Sequence, residues 1–154
     1  MNKPKARGTA AETAVTRWLA ANGFPNAERR ALRGTLDAGD ISGCPGLCVE
    51  VKGGDAARTA GHGLIIQWLA ETETERRNAG AQVGVLVVQR KGFGPDRAGM
   101  WWALVYAETL CRLWVPEGDP QAAHHAPIRL HLADLVTLLR AAGYGAPLIE
   151  ETAS

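Results

Sequence analysis

Nothing in the 154 residues is apolar for long enough to cross a bilayer. The longest apolar stretches, such as Val83 to Val88 and Leu132 to Leu139, fall well short of the roughly 20 residues of a helical span, so no membrane partner is expected. Met1 to Ala10 carries basic residues that lead into an Ala-rich polar segment and lacks the apolar core of a secretory leader. Cysteine is scarce. Cys44, Cys48 and Cys111 are odd in number, which fits a reducing compartment better than a disulfide scaffold, and a cytoplasmic location is expected. No heptad array or low-complexity tract is present. An excess of charge of one sign is also missing, the net charge being +1. What is present, 46% hydrophobic and 21% charged residues, is ordinary for a folded chain and excludes disordered and collagen-like classes without naming a function. The length suits a single domain over residues 1–154.

The near-neutral charge hides an asymmetry. Residues 1–60 hold nine Lys/Arg and six Asp/Glu, net +3, whereas residues 61–154 hold eight and ten, net −2. If three of the acids in the first part bind a cation, the remainder of that part is more basic than the sum suggests. Lys3, Lys5, Arg7, Arg29, Arg30, Arg33 and Arg58 are then candidate DNA-phosphate contacts, against the plainer reading of a solvated surface.

The pattern predicts a helix from Thr9 to Asn22, with Glu12, Val15, Trp18 and Leu19 on one stripe and Gly23 as the stop. An exposed strand follows over Phe24 to Leu32, then a turn-rich stretch, Arg33 to Asp40. Asp40-Ile41-Ser42 begins a second strand, and Leu47 to Lys52 alternates as a third, across the turn Gly43 to Gly46. A glycine-punctuated connection, Gly53 to Gly63, contains Arg58 and His62. It leads to a helix over Leu64 to Asn78, with Ile65, Trp68 and Leu69 inward and Glu71, Glu73, Glu75, Arg76 and Arg77 facing mostly water. Val83 to Val88 reads as a central strand buried on both faces. A turn at Gly92 to Gly99, a strand Met100 to Tyr106, a short helix Ala107 to Trp114, a loop Pro116 to Pro127 and a helix Leu132 to Gly143 complete the chain. A faint strand-then-helix echo links Trp102 to Leu113 with Ile128 to Leu139. Trp101-Trp102 on a strand places its rings on opposite faces, for core packing or a dimer contact rather than base stacking. The order implies an α/β fold, a mixed central sheet flanked by helices, with its core at about residues 8–106 and a C-terminal loop and helix over 107–154.

Three carboxylates and a lysine carry the chemistry. Glu50 and Lys52, two apart on a strand, share a face. A hairpin across Gly43 to Gly46 can bring Asp40 to them, and the first helix can add Glu12. Such a cluster suits phosphodiester hydrolysis: Mg²⁺ prefers carboxylate oxygens and keeps waters, so Asp40 and Glu50 are the candidate ligands. Lys52 can orient or deprotonate the attacking water, or stabilise charge on phosphorus.

The segments Gly39-Asp40-Ile41 and Glu50-Val51-Lys52, after a helix carrying Glu12, resemble the PD-(D/E)xK nucleases. Within that superfamily they are most similar to the archaeal-type and phage-type Holliday-junction resolvases. The proline of the family name is replaced by Gly39, and the resemblance covers about residues 8–90. It implies a restriction-endonuclease-like αβββαβ core and Mg²⁺-dependent endonuclease activity, with Mn²⁺ as a substitute. It further implies that Asp40 and Glu50 bind metal, that Lys52 serves the attacking water and that Glu12 binds metal directly or through water. Gln67 matches a helical glutamine that some branches place near the site. The implied substrate is branched DNA, a four-way junction, cut by a homodimer.

Each residue also has a plainer reading. Thr9-Ala10-Ala11-Glu12 is a capping-box pattern, Asp37 and Asp40 are possible turn formers with Asp37 in a supporting role, and Glu50 and Lys52 can be a solvent-facing pair. Cys44 and Cys48 lack the paired spacing that Cys111, His124, His125 or His131 would need to complete a zinc site. Two other functions stay open: a different PD-(D/E)xK repair or restriction-type nuclease, and a noncatalytic DNA-binding or assembly protein that retains the fold.

Overall fold

The computed structural model describes residues 3–31, 37–114 and 125–148, with the side chains of 3–7 excepted. Arg33, His124 and most of the Pro116 to Pro127 loop lie outside the described residues, as do the side chains of Lys3, Lys5 and Arg7. Helix α1 (Lys3–Ala21) leads to two short strands, β1 (Glu28–Arg29) and β2 (Ile41–Ser42), and then to β3 (Leu47–Lys52). A short helix α2 (Gly54–Arg58) precedes α3 (His62–Ala79) and β4 (Val83–Val88). After a 3-10 segment at Pro95–Met100 come β5 (Trp102–Tyr106), α4 (Ala107–Trp114), β6 (Pro127–His131) and α5 (Leu132–Ala141).

Among the described residues the six strands form one mixed sheet in the order β1-β2-β3-β4-β5-β6. Only β3 and β4 run parallel, joined through α3, with Glu50 beside Leu86 and Lys52 beside Val88; the other pairs are antiparallel. Helices cover both faces. Val49, Val51, Val85, Val87, Ala103 and Val105 point to one face and pack with Val15 and Leu19 of α1 and Leu135 and Leu139 of α5. Leu86, Val88 and Leu104 point to the other, against Leu69, with Ile65 and Trp68 at its margin. The opposite facing of neighbouring residues follows from the strand period of two, and the fully buried run of β4 fits a strand covered on both sides. No helix among the described residues is long and apolar enough to cross a membrane.

Several expectations are corrected. Helix α1 begins at Lys3, so Thr9 is interior and cannot act as the cap of a box with Glu12. The expected strand Phe24 to Leu32 shrinks to Glu28–Arg29. Pro25 offers no ladder N–H, and the Ala27 N–H turns back to the Phe24 carbonyl at 2.9 Å, which tucks Phe24 into the core at 1% exposure. The connection after β3 contains α2, and the Gly92 to Gly99 turn winds into a 3-10 segment opened by Pro95. The loop expected to run to Pro127 ends one residue sooner, because Pro127 starts edge strand β6.

Candidate metal centre

The carboxylates gather where β2, β3 and α3 approach one another. Gly39 adopts φ +89°, and a Cβ there would sit 3.0 Å from both Cys48 Sγ and the Val49 carbonyl oxygen. That close, left-handed turn sends Asp40 onto β3, where its N–H donates to the Val49 carbonyl at 2.9 Å and its Oδ2 accepts the Val51 N–H at 2.8 Å. Glu50, 5% exposed, accepts the Lys52 Nζ at 2.7 Å through Oε1.

Glu75 joins them from α3. It is 7% exposed, not turned to water as its neighbours suggested. Leu69, Thr72 and Glu75 are the fully buried residues of this helix, at the three-residue spacing of one face. That spacing was the signal in the sequence: Glu75 falls on the stripe, while Glu71 and Glu73 lie off it. Asp37 comes from the loop before β2. One oxygen each of Asp37, Glu50 and Glu75 lies within 4.8 Å of the others, and these are the three ligand-type residues brought together among the described ones. Asn78 of α3 donates to the Asp37 carbonyl at 3.0 Å and ties that loop to the helix.

The electrostatics of the cluster are those of too many negative charges in too little water. Burial, then the Glu50 charge, pushes Asp40 up to about 7, against the lowering effect of the Val51 N–H. Burial and the Glu75 carboxyl push Glu50 up to about 7, with Lys52 opposing. Glu75 is raised too, chiefly by burial. For Lys52, burial acts downward but the hydrogen bond and charge of Glu50, with Asp40 and Glu75, outweigh it; its amine is held cationic. Glu50 Oε2 and Glu75 Oε2 are buried without a hydrogen-bond donor among the described residues. One proton between the two carboxyls satisfies both atoms, and a hard cation does the same. The donor set, all carboxylate oxygen with two atoms unpartnered, therefore fits a divalent ion.

The remaining candidates fall elsewhere. Glu12 is close enough to Asp40 to raise its pKa, but its Oε2 accepts Arg29 Nε at 3.1 Å and Nη2 at 3.0 Å. Arg29 thus neutralises a carboxylate. Arg58 pairs with Asp55, while the exposed Arg30 donates its backbone N–H to the Asp40 carbonyl at 2.7 Å. Gln67 is exposed and donates to Glu71 Oε1 at 3.1 Å. Cys44 and Cys48 are buried free thiols, pushed by burial up to about 11 and about 12, and Cys111 is an exposed free thiol.

Comparison of the chain with protein-family models, with curated proteins and with solved structures gives no match.

Proposed function

We propose that this protein is a metal-dependent DNA endonuclease of the PD-(D/E)xK kind, with a restriction-endonuclease-like core formed by α1, β1 to β3, α3 and β4. The observation that carries the reading is the Glu50–Lys52 pair, closed at 2.7 Å beside Asp40 and Glu75 in a buried carboxylate cluster whose acids Lys52 only partly offsets. An ordinary solvent-facing strand pair would not hold its carboxylate at 5% exposure, nor leave one of its oxygens without a partner among the described residues.

Glu50, Glu75 and Asp37, with Asp40 adjoining, would hold Mg²⁺, for which Mn²⁺ can substitute. When bound, the ion acidifies a water and neutralises charge on the scissile phosphate. Lys52, held cationic by Glu50, donates hydrogen bonds to a nonbridging phosphate oxygen or to the attacking water, an electrostatic role rather than that of a base. Asp40, fixed by the Val51 N–H, positions β2 against β3 and keeps its other oxygen for the ion or its water. Glu12 acts on the cluster through its charge while Arg29 restrains it.

Branched DNA is the proposed substrate and a homodimer the proposed cutting unit. The test is Mg²⁺-dependent cleavage of a labelled four-way junction beside a matched linear duplex, with wild type and Glu50→Gln. Junction cutting lost in the variant supports the whole reading. Equal cutting of both substrates keeps the nuclease and removes the junction preference, leaving a repair or restriction-type enzyme. Binding without cutting in Mg²⁺ or Mn²⁺ leaves a noncatalytic DNA-binding protein.

A further inference from the structure

A second feature lies on the same face and at the same end of the sheet as Lys52, outside the carboxylate cluster. Residues opposite one another across a sheet share a face. Lys52 is beside Val88, Val88 opposite Trp102 and Trp102 opposite His131; one step along, Glu50, Leu86, Leu104 and Arg129 form a parallel row. Trp102, Arg129 and His131 therefore point to the side that bears Glu50 and Lys52.

On that side aromatic rings and guanidinium groups alternate. Arg129 lies 4.2 Å and Arg90 4.1 Å from the Trp102 ring centroid, and His131 stacks on Trp102 at 5.4 Å. Arg90 also lies 4.3 Å from the Phe93 ring, with Arg97 4.6 Å from the same ring. The series Arg97, Phe93, Arg90, Trp102, Arg129 thus wraps around the end of β4. None of these three arginines makes an ion pair among the described residues; Arg90 bonds only the Met100 carbonyl and His131, each through Nη1. Arg97 and Arg129 are exposed. A guanidinium stacked on a ring keeps its N–H edge free and loses little entropy on meeting a phosphate, which suits it to an anionic polymer rather than to folding.

We propose that Arg97, Arg90 and Arg129 form a phosphate-binding track for the backbone of the DNA strand that continues beyond the Lys52 site. This rests on the nuclease reading and names how its substrate is held. From β3 to β6 there are three strand spacings, about 14 Å at about 4.8 Å each. Each strand of DNA advances about 3.4 Å per phosphate along the duplex axis, and successive phosphates lie farther apart than that along the backbone, so the track spans a few consecutive phosphates. Charge complementarity and this reach select a nucleic-acid backbone over a small anion.

The test is fluorescence anisotropy of a fluorescein-labelled linear duplex in EDTA, across a salt series. The protein variants are wild type, the double variant Arg97→Ala/Arg129→Ala and a charge-matched control, Arg77→Ala/Arg112→Ala, at the other end of the fold. The expected result for the track variant is a loss of affinity of about tenfold and a fall of about 2 in the slope of log K against log salt. The control should stay within about threefold of wild type, and both variants should keep the wild-type melting temperature. Unchanged affinity and slope in the track variant, an equal loss in the control, or no binding by wild type would each overturn the track. If the losses appear but the duplex and a four-way junction stay uncut in Mg²⁺, the track survives and the nuclease reading fails.

Discussion

Glu50 on β3 and Glu75 on α3 meet across the sheet-helix interface, each with a buried Oε2 that no donor reaches among the described residues. Two buried carboxyls without donors cost free energy unless a proton or a cation lies between them. A cation bound between them would therefore couple metal binding to folding through this pair.

Glu75→Gln is expected to lower the affinity for Mn²⁺ by at least about tenfold, since it removes a charged ligand while keeping the side chain's shape. Titration calorimetry checks this. At 100 times its Kd, Mn²⁺ should stabilise wild type by about 2.7 kcal/mol, and the thermal shift should shrink in Glu75→Gln. Gln67→Ala should match wild type in both measurements; equal Mn²⁺ binding by Glu75→Gln would remove Glu75 from the ligand set.

In a chelator, stability should depend on pH with a definite sign. The Glu50 carboxyl, at about 7 against an ordinary 4.5, keeps its proton in the folded chain where the unfolded chain has lost it. Below about 4.5 both states are protonated and no penalty exists. Between about 4.5 and about 7 the penalty grows, and above that it is complete, on the order of 3 kcal/mol. Glu50→Gln has no such penalty, so its melting temperature in EDTA should gain on wild type between pH 5 and pH 8. A constant difference would mean that Glu50 ionises normally in the fold.

Lys52→Met should reduce cleavage by about 10²–10³-fold, the usual cost of removing one preorganised charge from developing negative charge. Binding measured with a chelator should change by no more than about threefold. Lys52→Arg should recover part of the rate, because the role assigned is that of a cation. A dead Lys52→Arg together with a pH optimum displaced upward in wild type would instead favour a base.

Gly39→Pro would put at this position the proline of the PD-(D/E)xK name, yet it should damage this chain. Proline holds φ near −65°, far from +89°, and it removes the N–H that donates to Asp37 Oδ1 at 3.3 Å. A loss of about 3 kcal/mol or more in denaturant unfolding is expected, together with weakened Mn²⁺ binding. An unchanged midpoint would show that the turn tolerates another path.

Local signals were legible in the sequence wherever packing and pattern agree. The alternation of Leu47 to Lys52, closed by Gly46, predicted β3 to the residue, and the unbroken apolar run predicted β4. Helix α3 was recognised from Ile65, Trp68 and Leu69, with Gly80 in the left-handed cap that ends it. The approach of Asp40 to Glu50 was expected from the short turn between their strands, whereas its hydrogen bond from the Val51 N–H was not. The Phe24 segment was not legible, because Pro25 and the core beneath α1 decide its path.

The residue types and spacings of the chain determined which carboxylates share a strand face and that a lysine lies two positions from one of them, because side-chain direction in a strand is a local property of the backbone. Only the tertiary structure decided that Glu75 and Asp37 close on Glu50, that Arg29 occupies Glu12 and that arginines from three segments stack around Trp102 and Phe93. Those contacts join residues far apart in the chain, and their pairing is selected by the packing of α3 and the order of strands, which no local pattern encodes.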